Sequence, residues 1–88
     1  MIKPGIGRIV WLWGAHGVRL DPRQPFAASV AYVWNDRLIN VGYVDHIGDQ
    51  SSLGSVALLQ DDDAKPDGVP FATWMPYQVA AAKKGVAA

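Results

Sequence analysis

The stretch that decides the fold runs Phe26-Ala27-Ala28-Ser29-Val30-Ala31-Tyr32-Val33-Trp34, then Asn35-Asp36-Arg37, then Leu38-Ile39-Asn40-Val41-Gly42-Tyr43-Val44. Its first part is rich in β-branched and aromatic residues. Phe26, Ala28, Val30, Tyr32 and Trp34 alternate with Ala27, Ser29, Ala31 and Val33, the two-residue period of a strand with two distinct faces. Asn35-Asp36 is a turn dipeptide, and a second β-rich run follows at once. The reading is a β-hairpin, Phe26–Trp34 paired with Leu38–Val44.

The same signals recur on both sides. Gly7 to Trp13 reads as a strand with Ile9, Trp11 and Trp13 on one face and Arg8, Val10 and Leu12 on the other. A loop from Gly14 to Pro25 holds two glycines, two prolines, His16, Arg19 and Arg23. After the hairpin, residues 45–54 read as a loop, Ser55–Gln60 as a short fourth strand, and residues 61–68 as an exposed turn. Pro70–Tyr77 reads as a fifth strand whose end Pro76 confines to a sheet edge. Residues 1–78 then form one domain, and residues 79–88 form an alanine-rich tail, frayed helix or disordered. No apolar period of 3.6 residues is sustained over a dozen positions, so the chain reads as all-β.

Composition narrows the function. The 88 residues contain no cysteine, which excludes disulfides and cysteine-based zinc sites, and only two histidines, His16 and His46. A chain of this length buries only about 60–65% of the surface it exposes when unfolded. Yet half the residues are hydrophobic, four of them tryptophan. That surplus predicts a homo-oligomer that hides some of it between subunits. No stretch approaches the roughly 18 apolar residues of a membrane span. The first residues lack the features of a signal peptide, so a cytoplasmic location is expected.

Formal charge sums to zero, but residues 1–37 carry net +3 and residues 38–70 net −5, all eight acids being aspartate. Duplex nucleic acid is therefore not an expected partner.

The candidate chemistry is sparse. Gly5-Ile6-Gly7-Arg8 precedes a strand, whereas nucleotide fingerprints follow one and open a helix; it reads as an entry turn. The aspartates at 61–67 lack the spacing of a calcium loop and read as a solvated turn. His46 has Asp45 beside it, but neighbours on a strand face opposite ways, and no nucleophile is indicated. No catalytic residue, metal or cofactor is expected. The aromatic and arginine content remains: Trp11, Trp13, Trp34, Trp74 and Tyr77, with Arg8, Arg19 and Arg37. Some aromatics are core, but one or two can form a platform on which a base stacks, with an arginine taking the phosphate.

Lys3-Pro4-x-Ile6-Gly7-Arg8-Ile9-Val10, Pro25-Phe26-Ala27-Ala28, Asn35-Asp36-Arg37-Leu38-Ile39-Asn40-Val41, Ser55-Val56 and Trp74-Met75-Pro76-Tyr77-Gln78 together resemble a family of short bacteriophage and prophage proteins of unassigned function. The resemblance covers residues 3 to 78 and departs in the first loop, around Trp13, His16 and Arg19. By looser analogy of size and context, it implies an anti-defence protein of the nucleotide-sponge type. Such a protein sequesters a cyclic or ADP-ribose-derived signal between subunits without catalysis. The layout expected is a small SH3-like barrel of about five antiparallel strands. A protein-interaction module of that layout, binding a host or phage protein, is the alternative, and a minor virion or assembly component the third.

Overall fold

A computed structural model describes residues 1–15 and 24–85. The predicted His16, Arg19 and Arg23 lie outside the described residues. Five strands close into one barrel: β1 (Ile9–Trp13), β2 (Phe26–Asn35), β3 (Leu38–Val44), β4 (Gln50–Leu59) and β5 (Phe71–Thr73). A helix, α1 (Pro76–Lys83), follows. The predicted hairpin is β2–β3, and β3 has the predicted bounds. No described helix is long and apolar enough to cross a membrane.

Strands β1 to β4 form an antiparallel meander, and β5 pairs antiparallel with β1. An odd number of strands cannot close a ring with every neighbour antiparallel, so one pair must be parallel. That pair is β4–β5, Ala57 beside Phe71 and Leu59 beside Thr73. The expectation of uniformly antiparallel strands is corrected accordingly. Parallel neighbours need a connection that travels back along the barrel, and residues 60–70 provide it. The predicted surface turn at 61–68 is therefore the middle of a crossover.

The crossover is tied at its first residue. Gln60, buried to 2% exposure, donates from Nε2 to the carbonyls of Ile2 (2.7 Å) and Asp36 (2.9 Å). Its Oε1 accepts from Ile2 N–H (3.1 Å). Asp63 then accepts from Gln60 N–H (2.9 Å) and from Arg37 Nε (2.8 Å), and Asp61 pairs with the N-terminal ammonium (3.2 Å). At the far end, Gly14 (φ +74°) lies against the backbone of Val69 and Pro70; the positive φ favours glycine there.

One face of each strand fills the barrel. Val10, Leu12, Phe26, Ala28, Val30, Ile39, Val41, Tyr43, Val56, Leu58 and Ala72 are all buried, and Phe26 stacks parallel on Tyr43 at 5.5 Å. The alternation read from β2 holds through Val30 and then breaks. An extra residue, Ala31, bulges between Val30 and Tyr32, and a second bulge falls between Val33 and Asn35. A one-residue slip inverts the faces. Val33 turns onto the core, while Tyr32 and Trp34 stand exposed.

Three predicted boundaries move. Strand β1 begins at Ile9, because Gly5 to Gly7 form the entry turn, with Arg8 N–H donating to Gly5 O (3.1 Å). Strand β4 begins at Gln50 rather than Ser55; pairing with β3 overrides the loop-like Gln-Ser-Ser. Strand β5 ends at Thr73, and Pro76 opens α1 instead of ending a strand. Proline at a first helical position loses no hydrogen bond and has a suitable φ. The tail predicted from residue 79 is thus helix as far as Lys83.

Two outcomes follow. Gln60→Ala orphans three backbone groups at the barrel end and lowers unfolding free energy by roughly 2–4 kcal/mol in urea titrations. The hydrogen bonds from Arg37 and Gln60 hold the Asp63 carboxyl below its usual range. Its stabilising contribution is complete above the ordinary carboxylate pKa of about 3.9 and fades as pH falls through the lower folded value. Asp63→Asn flattens that part of the urea midpoint's dependence on pH in the acid range.

Candidate functional site

The described residues among those predicted to bind a ligand do not converge on one place. Trp11 and Trp13 lie on the outer face of β1, half-buried, packed edge to face at 6.0 Å. Trp13 Nε1 donates to Thr73 Oγ1 (2.9 Å), and Trp11 sits between Ala27 of β2 and Thr73 of β5. Tyr77, 66% exposed, is on the first turn of α1.

Arg8 and Trp74 meet at the end of the barrel. The guanidinium carbon lies 5.0 Å from the centre of the indole, a cation–π contact, with Trp74 only 6% exposed. Gln78, also buried, donates to Ile9 O (3.0 Å) and accepts from Met75 N–H (2.8 Å), fastening α1 over this junction. Arg8 Nη2 and Trp74 Nε1 are buried with no hydrogen-bond acceptor among the described residues. Both are donors.

Arg37 occupies the β2–β3 turn. Its guanidinium is hydrogen-bonded to Asp63, and Asp61 and Asp36 add to the negative field that raises its pKa. A phosphate approaching Arg37 would meet three carboxylates. An open cavity of about 570 Å³ lies nearby, lined by Ile2, Leu59, Trp74 and Val79, with Asp62 and Lys83 among its polar residues.

A pair of exposed aromatics in mutual contact lies on the distal half of β2. Tyr32 and Trp34 pack edge to face, 4.9 Å between centres at 72°, and are 48% and 56% exposed. Trp34 is nevertheless held: its Nε1 donates to Asn40 Oδ1 (3.0 Å). The same oxygen accepts from Ser55 N–H (2.7 Å), where Ser55 (φ +53°) forms the bulge of β4 opposite Asn40. One amide oxygen thus shapes a bulge and orients an exposed indole.

Tyr32, Asn40, Gln60 and Gln78 were outside the set read from sequence. Strict alternation places Tyr32 on the core face, which conceals it. For Asn40, the interruption of the apolar run Leu38-Ile39-Asn40-Val41 was an available signal. Neither glutamine had one.

His46 and Asp45 lie in a turn, not on a strand. Asp45 Oδ1 accepts from Ile47 N–H (3.1 Å) and Asp49 N–H (3.0 Å), and the His46 ring stands edge-on to Phe26 at 4.8 Å. Their roles here are turn-forming and packing. Among the described residues no three His, Asp, Glu or Cys side chains are grouped to hold a metal ion.

Comparison with known proteins gives no matching family model, no matching curated protein and no matching solved structure.

Asn40→Ala frees the indole without unfolding the barrel. The Trp34 Nε1–H order parameter in ¹⁵N relaxation then falls clearly below that of Trp13, and stability drops by about 1–2 kcal/mol for the unpartnered Ser55 amide.

Proposed function

We propose that this chain is a non-catalytic binding module that recognises a protein partner through the Tyr32–Trp34 ledge on the outside of its barrel. One observation carries the reading: Trp34 is 56% exposed and yet held by Asn40 and braced by Tyr32. A large aromatic already oriented loses little side-chain entropy on contact. Such residues supply most of the energy at protein interfaces. Solvent exposure of two adjacent aromatics has no benefit for the isolated barrel, since neither fills its core. The resemblance to phage proteins supports a partner in the cytosol of an infected bacterium.

A protein is favoured over a nucleotide because the arginine on the same hairpin, Arg37, is already committed to Asp63. The nucleotide reading is kept as second for one reason. Arg8 Nη2 and Trp74 Nε1 are donors with no acceptor among the described residues, and an anionic group could satisfy both after a small opening of the barrel end.

The test compares the wild-type protein with Tyr32→Ala/Trp34→Ala. Both are used as bait in lysate of the bacterium that a related phage infects, and both are mixed with cyclic and ADP-ribose-derived nucleotides for native mass spectrometry. The reading predicts a stoichiometric protein on wild-type bait, reduced at least about tenfold on the double variant. The variant's melting temperature should stay near that of the wild type. Retention of a nucleotide, abolished by Arg8→Ala and indifferent to the ledge, would instead establish the second reading.

A further inference from the structure

The barrel is closed over only part of its wall. Strand β5 has three residues and covers β4 only at Ala57, Leu58 and Leu59. From Gln50 to Val56, β4 pairs with β3 on one side, and no described residue pairs with its backbone on the other. Along this edge Gln50, Ser51, Ser52, Gly54 and Ser55 are exposed to solvent.

Hydrogen-bond alternation shows which groups point outward. Val30 N–H donates to Arg8 O, and Val30 O accepts from Gly7 N–H, both at 2.8 Å, so the Val30 backbone faces β1. Ser29 therefore faces β3, where it pairs with Gly42. Gly42 faces back to β2, and its neighbour on β4, Ser52, is left with N–H and C=O directed away from the barrel. Gln50 shares that phase.

Exposed edges in natural proteins are usually blunted by charge, proline or a bulge. The opposite free edge, β2 beyond Val30, has two bulges. The β4 edge has its bulge only at its far end, at Gly54 and Ser55; the run Gln50-Ser51-Ser52-Leu53 before it has no bulge, no proline and no charge.

We infer that the β4 edge of one chain pairs antiparallel with the β4 edge of a second copy about a two-fold axis at Ser52. In that register Ser52, whose backbone groups point outward, faces its symmetry mate, and the regular run from Gln50 to Leu53 pairs as far as the bulge at Gly54 and Ser55, which ends the match. No like charges are opposed, because residues 50–60 carry none. Half-buried Leu53, which packs against the core, comes to lie across from the mate's Ser51. A foreign strand is the poorer occupant. Strand addition reads its partner through pockets for alternate side chains, whereas serine, glycine and glutamine along this edge shape none. The inference does not depend on what the Tyr32–Trp34 ledge binds.

Ser52→Pro is the discriminating variant. An outward N–H is not part of the β3–β4 ladder, so proline is tolerated in the single barrel and blocks the pairing. Ser52→Lys is the second variant, placing like charges face to face across the axis while leaving the barrel intact. Light scattering after size exclusion should give a wild-type dimer. Both variants should be monomers with unchanged near-ultraviolet circular dichroism and a dimer dissociation constant raised at least about tenfold; the lysine variant should recover in high salt. A wild-type monomer at about 100 μM, or a Ser52→Pro protein that remains dimeric, overturns the pairing. In the first case the edge would be left to a foreign strand.

Discussion

The closure of a ring by five strands is the constraint from which the rest of this molecule follows. With an odd count one neighbouring pair must run parallel, here β4 and β5. The chain must therefore travel back along the barrel between them. A connection of this length without a helix has little core of its own, and its polar backbone needs partners. Gln60, Asp61 and Asp63 meet that need by binding the N-terminal residues and the β2–β3 turn, joining segments far apart in sequence at one end of the barrel. The aspartates that look like loose surface charge are in part the fastening of the crossover.

The same economy explains several side chains that join segments distant in sequence. Arg8 of the opening segment lies on Trp74 of the closing one, and Gln78 reaches Ile9. Asn35 Oδ1 accepts from Arg37 N–H (2.8 Å), shaping the hairpin turn that presents Arg37 to Asp63. Asn40 fixes the bulge of β4 at Ser55 and holds the Trp34 indole on β2. These side chains knit the barrel. The outer aromatic surface stays exposed, and that division between knitting and display is the basis for proposing Tyr32 and Trp34 as the binding surface.

How much of this was legible in the sequence depends on how local the cause is. The hairpin was readable because the alternation and Asn35-Asp36 are local signals. The inward set Val10, Leu12, Phe26, Ala28 and Val30 follows from the same period. The phase change at Ala31 was not readable, because a bulge is selected by the fit of β2 to the curvature of the barrel rather than by its own residues. The first half of β4 was hidden for a similar reason: Gln-Ser-Ser has loop propensity, and only the neighbouring β3 makes it a strand. The candidate ligand residues were chosen by chemistry alone, which carries no information on distance. Trp11, Trp34 and Arg37 consequently do not share one site, Trp74 is buried, and Arg37 has a carboxylate partner 26 residues away in sequence.

The account rests on β5, three residues long, being an integral stave of the barrel between β1 and β4. Native-state hydrogen exchange resolves this directly. Alternation assigns the Thr73 amide to β1 and the Ala72 amide to β4. If β5 closes the ring, both exchange with the same opening free energy as Val10 and Leu58 in the core, and that value equals the free energy of global unfolding. Exchange of Ala72 and Thr73 through a separate, much less costly opening, with Val10 and Leu58 still protected, would show an open sheet with a loosely attached segment and would contradict the closed barrel.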